Sequence, residues 1–266
     1  MHAQQMCACV NIFQEKILTA KPFCVAGKTA LITGGGSGIG QFMAGALAQV
    51  GADIIVVGRR RDRLEETISR YGGSYVCLDL AEKGAAGRLA QQVAEQQAMP
   101  NIIVNAAGIN PRKHADVVTE REWTESVHLN LNVPFLVAQA FIGQMKAQKW
   151  GRIINIASLQ SSRAFVNGIA YGAAKGGISQ LTRAMAEAWS MDGICANAIA
   201  PGFFPTELTQ AVFENNELAA QHSKNTAIGR NGNLEDLVGP LLFLASDASI
   251  YVTGQVLAVD GGYTAK

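Results

Sequence analysis

The stretch from Thr29 to Gly40 constrains this chain more than any other. A short apolar run, Thr29 to Thr33, breaks into Gly34-Gly35-Gly36-Ser37-Gly38-Ile39-Gly40, and Phe42, Met43, Ala46, Leu47 and Val50 then recur with helical period. A buried strand that turns through glycines into an amphipathic helix is half of a β-α-β crossover, and that unit demands a parallel sheet covered by helices. The spacing is G-x-x-x-G-x-G, with Gly34, Gly38 and Gly40 as the spaced set and Gly36, Ser37 and Ile39 between them. Such a turn brings backbone close to a pyrophosphate and aims a helix N-terminus at it.

Six more strand-like runs come after it: Asp53 to Val57, Ser74 to Leu78, Asn101 to Val104, Arg152 to Ala157, Ile194 to Ala200 and Gln255 to Val259. Helical patterns separate them. One runs from about Glu120 to Lys149, with Pro134 expected to bend it, and another continues past Lys175 to about Met191. The expectation is a single doubly wound α/β domain of Rossmann type, residues 27–266, with a seven-stranded parallel sheet and helices on both faces. Residues 1–26 form an N-terminal extension. Periodicity is weak from about 203 to 233, which reads as a mobile lid over the site.

Composition narrows the function. A formal net charge of +1 over 266 residues leaves no electrostatic footprint for nucleic acid or an anionic membrane. No apolar run approaches the roughly 18 residues of a spanning helix. The first residues lack a basic start and a continuous apolar core, so the expectation is a cytoplasmic protein acting on a small molecule. The five cysteines are scattered, which predicts reduced thiols and no metal site.

Candidate site residues lie at the carboxyl ends of the strands, where open α/β sheets bind ligands. After the second run, Gly58-Arg59 stands where a carboxylate would hold the adenosine ribose of NAD. A guanidinium there suits a 2′-phosphate, so NADP(H) is favoured and NAD(H) stays possible. Arg60, Arg61 and Arg63 read as the exposed start of a helix. Asp79, beside Leu80, can bond an adenine amino group or cap the next helix. In Asn105-Ala106-Ala107-Gly108 small residues let backbone pass beneath a cofactor. Asn130 is a polar residue near the irregular backbone before Pro134. Ser158 ends the fifth run, and Tyr171 and Lys175 share a helix face four residues apart. An ammonium beside a phenol is expected to lower its pKa by about 1 to 3 units, making Tyr171 a proton donor and acceptor for an alcohol.

In order, Thr33 to Gly40, Asp79, Asn105 to Gly108, Asn130, Ser158, Tyr171-x-x-x-Lys175 and Pro201-Gly202 resemble the short-chain dehydrogenase/reductase family over residues 27 to 262. The resemblance implies Tyr171 as general acid/base, Ser158 as the group binding the reacting oxygen, and Lys175 as the group tuning the tyrosine and holding the nicotinamide ribose. It implies a water relay at Asn130, an adenine contact at Asp79, a carboxamide contact at Thr206 and the backbone near Phe204, and a homotetramer. Asn105 to Lys113 and Gly229-Arg230 to Gly239-Pro240 resemble the branch acting on gluconate-type sugar acids. Arg112 or Lys113 is then expected to hold a substrate carboxylate, with Gln160 shaping the pocket. A 3-oxoacyl-thioester reductase shares these motifs, and a catalytically silent dinucleotide-binding protein is the remote alternative.

Overall fold

The computed structural model describes residues 23–97 and 99–266, so residues 1–22 of the N-terminal extension lie outside the described residues. Seven strands form one parallel sheet in the order β3-β2-β1-β4-β5-β6-β7. They are β1 (Thr29–Thr33), β2 (Asp53–Gly58), β3 (Ser74–Cys77), β4 (Ile102–Asn105), β5 (Gly151–Ile156), β6 (Ile194–Pro201) and β7 (Val256–Val259). Alternation along each strand sorts the core into two layers. Ala30, Ile32, Ile54, Val56, Ile102 and Val104 face one layer, and Leu31, Ile55, Val57 and Ile103 face the other.

Helices close both layers. The first is packed by α1 (Gly38–Gln49) through Met43 and Leu47 and by α2 (Arg61–Tyr71) through Leu64. The opposite layer takes Leu89 and Val93 of α3 (Ala85–Glu95). Two helices in line come next, α4 (Glu120–Val127) and α5 (Val133–Gln148), of which α5 supplies Val137, Phe141 and Met145. The long α6 (Ile169–Trp189) adds Met185 to the same layer.

The continuous helix expected over Glu120 to Lys149 is instead two. A wide π turn, His128–Asn132, joins them, and Pro134 sits in the first turn of α5, where its missing N–H costs nothing. The stretch after Phe203 also has more structure than its weak periodicity suggested. It folds into α7 (Gln210–Phe213) and α8 (Asn216–Asn225), and Asn215 Oδ1 caps α8 by accepting from the Glu217 and Leu218 amides at 3.0 Å each. Then α9 (Val238–Ala245) returns to the first layer. Among the described residues no helix is long and apolar enough to cross a membrane.

Candidate active site

β1 pairs with β2 on one side and β4 on the other, so the connections leave in opposite directions and a crevice opens at the strand ends. A cleft of about 760 Å³ occupies that position. Its floor begins at Thr33, whose buried hydroxyl accepts from the Ala106 and Ala107 amides at 3.1 and 3.2 Å and draws the two turns together. Their approach leaves no room for side chains. A Cβ on Gly34, which has φ +68°, would lie 2.9 Å from Ala107 backbone, and one on Gly40 would overlap the Gly34 carbonyl oxygen. The first turn of helix α1, Gly38 to Gly40, lines the cleft, and with no side-chain cap and no acidic residue there its positive dipole end is left for an anion.

Most residues expected to hold a cofactor line this cleft: Gly34, Gly36, Ser37, Gly38, Ile39 and Gly40, then Arg59, Asp79, Leu80, Ala106, Gly108, Pro201, Gly202, Phe204 and Thr206. Arg59 is exposed and its guanidinium stands 3.8 Å from the Asp79 carboxylate, a loose pair. Asp79 Oδ1 accepts from the Ala81 amide at 2.9 Å and braces the turn after β3; it does not cap α3, whose N-cap is Gly84. Asn105 departs from the expectation. Its side chain does not line the cleft; Nδ2 donates to Asn155 Oδ1 at 2.9 Å and to the Pro134 carbonyl at 3.3 Å, tying β4 to β5 and α5. Arg60, read from sequence as a plain exposed helix start, spans the cleft rim, donating to Ser37 Oγ at 3.0 Å and to Glu207 at 2.8 Å. Glu207 lies 147 residues away in sequence, so no local signal announces the pair.

Ser158, Tyr171, Lys175 and Asn130 converge on the inner end of the same cleft. Lys175 is 4% exposed, donates to the Ile156 carbonyl at 2.5 Å, and holds Nζ 5.4 Å from the centre of the Tyr171 ring. Burial dominates both groups. It pushes the Tyr171 phenol up to about 12, with the Ser158 hydroxyl and the Arg112 charge pulling back, and it pushes Lys175 down to about 8. For the cleft as it stands burial thus holds the tyrosine above its ordinary value, and the lowering expected from its lysine is not seen. At neutral pH the pair is a protonated phenol and an ammonium.

Asn130, fully buried in the π turn, donates through Nδ2 to the Ser126 carbonyl at 2.8 Å and the Ile109 carbonyl at 2.9 Å. Nδ2 thus satisfies two backbone carbonyls, one of them in α4 just before the π turn, while Oδ1 has no partner. A Cβ on Gly108 would lie 2.6 Å from that oxygen and 4.0 Å from Lys175 Nζ, so the asparagine faces the lysine across a glycine.

At the outer end, Arg112 lines the cleft and donates to the Leu208 carbonyl at 3.2 Å. Lys113 does not: its ammonium pairs with Glu122 at 2.5 Å, away from the cleft, which removes it from the candidate substrate contacts. Gln160 lines the cleft near Tyr171. Sequence reasoning missed an aromatic cluster there, in which Phe165 and Phe203, both lining the cleft, gather with His222 and Tyr263, and Phe203 stacks on His222 with ring centres 3.6 Å apart. These rings come from four separate segments, and no periodicity links them.

A doubly wound sheet with glycine-lined room for a dinucleotide at its switch point, ending in Ser158, Tyr171 and Lys175, defines a nicotinamide-dependent oxidoreductase. The chain belongs to the short-chain dehydrogenase/reductase family. A family model described as enoyl-(acyl carrier protein) reductase matches residues 34–264. Gluconate 5-dehydrogenase of Gluconobacter oxydans (strain 621H) is 35% identical over 247 residues, covering 91% of this chain and 96% of that protein. The 2-dehydro-3-deoxy-D-gluconate 5-dehydrogenase of Bacillus subtilis (strain 168) is 38% identical over 249 residues, covering 92% and 97%. The crystal structure of a gluconate 5-dehydrogenase from Burkholderia cenocepacia J2315 in complex with NADP and tartrate superposes with a TM-score of 0.88 at 36% identity, covering 92% of this chain and 98% of that one.

Proposed function

We propose that this enzyme interconverts a secondary alcohol and a ketone on a sugar acid of the gluconate type, using NADP(H). The observation that carries this function is Arg112, a guanidinium on the rim of the cleft whose charge reaches Tyr171, in a chain whose relatives are gluconate dehydrogenases. A cation at that place binds a carboxylate and leaves the rest of the molecule to reach the tyrosine.

The glycine turn and the N-terminus of α1 would hold the pyrophosphate, Arg59 the 2′-phosphate, Asp79 and Leu80 the adenine end, Lys175 the nicotinamide ribose, and Thr206 with the Phe204 backbone the carboxamide. When bound, NADP(H) supplies or accepts the hydride. Tyr171 gives its proton to the ketone oxygen in reduction and takes the hydroxyl proton in oxidation. Ser158 orients that oxygen. Lys175 opposes the negative charge left on the phenol, and Asn130 Oδ1 anchors the water that returns a proton to the lysine. Burial keeps Tyr171 protonated in the cleft as it stands, so the proton it gives in reduction is in place.

The enzyme works as a homotetramer in this proposal. Support comes from the edge strand β7, where Leu257 is exposed, with Ile250 and Tyr251 exposed just before it.

The test is a panel of sugar acids, neutral polyols and 3-ketoesters, assayed at 340 nm with NADP(H) and NAD(H). The proposed function requires the highest kcat/KM on a sugar acid with NADP(H). A preference for an acyl thioester that grows with chain length would replace it with the 3-oxoacyl reductase.

A further inference from the structure

We propose that the side-chain amide of Gln160 reads a hydroxyl on the carbon beside the reacting one, so that the enzyme selects α-hydroxyketones and vicinal diols over simple ketones and alcohols; this rests on the alcohol–ketone chemistry above. Gln160 Oε1 is shut off from solvent and has no hydrogen-bond partner, although the residue lines the cleft. An unpaired buried carbonyl costs about 1 to 3 kcal/mol.

The surroundings are built around that amide. The Gln160 backbone N–H donates to Ser158 Oγ at 3.1 Å, which fixes the residue next to the group that orients the reacting oxygen. A Cβ on Gly168 would overlap Gln160 Oε1, and one on Gly172, the neighbour of Tyr171, would lie 3.4 Å from it. Gly168 has φ −110°, a conformation open to any residue, so backbone freedom does not explain the glycine. Room for the amide does. The Phe165 carbonyl oxygen lies 3.1 Å from the same Cβ position, so on the Gly168 side the amide has an acceptor for a neighbour, and a half-turn that exchanges Oε1 for Nε2 there leaves Oε1 as the end free for a ligand. In either orientation one polar end of Gln160 is offered beside Ser158 and Tyr171, where a neighbouring hydroxyl of the substrate must lie.

The test uses acetoin and butan-2-one, two ketones of equal chain length that differ by the adjacent hydroxyl and carry no carboxylate, with NADPH consumption read at 340 nm. The wild type is expected to prefer acetoin by about tenfold or more in kcat/KM, the scale of one hydrogen bond to a buried group. Gln160→Met keeps the volume and removes both polar atoms; Gly168→Ala displaces the amide by steric overlap while leaving Gln160 itself in place. Each is expected to bring the ratio toward one, while NADPH fluorescence titration reports that the cleft remains assembled. A wild type with no preference for acetoin, or a ratio that stays within about twofold of wild type in both variants, overturns the proposal. The sugar-acid function fails separately, when gluconate-type acids are no better than neutral polyols.

Discussion

Replacing Lys175 with Met tests whether the buried ammonium acts on the tyrosine or merely fills space. Its Nζ stands 5.4 Å from the Tyr171 ring centre. Coulomb's law with an effective dielectric of about 20 gives 332/(20 × 5.4), or about 3 kcal/mol, for its stabilisation of a phenolate spread over that ring. At about 1.36 kcal/mol per decade, D-gluconate oxidation at pH 7 and saturating NADP+ should fall roughly 200-fold. Lys175, pushed down to about 8, loses its charge above that pH, so the gap between wild type and variant should narrow as pH rises further. Folding should respond differently. From about pH 8 up to 10.5, the ordinary lysine value, the unfolded wild type holds a proton that the folded one has released, so its stability rises with pH across that window and the variant's does not. At neutral pH the Met variant is spared the desolvation of a buried cation, and its Tm should hold or rise. A loss under about fivefold, or a gap that stays constant from about pH 7 to 9.5, would refute the reasoning.

Arg59→Ala should weaken NADPH about 10- to 100-fold in a fluorescence titration and leave NADH nearly unchanged, because its loose pairing with Asp79 leaves the guanidinium free for a phosphate. Arg112→Ala should lower kcat/KM for a sugar acid about tenfold or more relative to a neutral polyol, whereas Lys113→Ala, its ammonium already taken by Glu122, should change neither; equal losses on both substrates would remove the carboxylate role. In Gly40→Ala the new methyl meets the Gly34 carbonyl, so stability should drop about 2 kcal/mol, or about 4 to 8 °C in Tm, with loss of dinucleotide binding, both visible in a thermal melt with and without NADPH.

The sheet was readable because each strand is a short, mainly apolar run between helical patterns, and the strand-end motifs marked the inner site residue by residue. Local signals failed where partners are distant. Arg60 looks like any exposed helix start until Glu207 arrives across the rim, and Phe165, Phe203, His222 and Tyr263 meet only in the folded chain. Asn105 and Asn155 sit opposite each other in register, and that pairing turns an expected cofactor contact into a tie between strands. The tyrosine misled for another reason: residue spacing shows the neighbouring charge but not the depth of burial, and burial dominates here.

The most direct measurement is NADPH consumption at 340 nm with 5-keto-D-gluconate, comparing wild type with Tyr171→Phe. The account predicts stoichiometric oxidation of NADPH by the wild type and a rate at least about 100-fold lower in the variant, within the usual contribution of a positioned acid, with NADPH still bound. A wild type that leaves NADPH untouched, or a phenylalanine variant that keeps most of the rate, would contradict it.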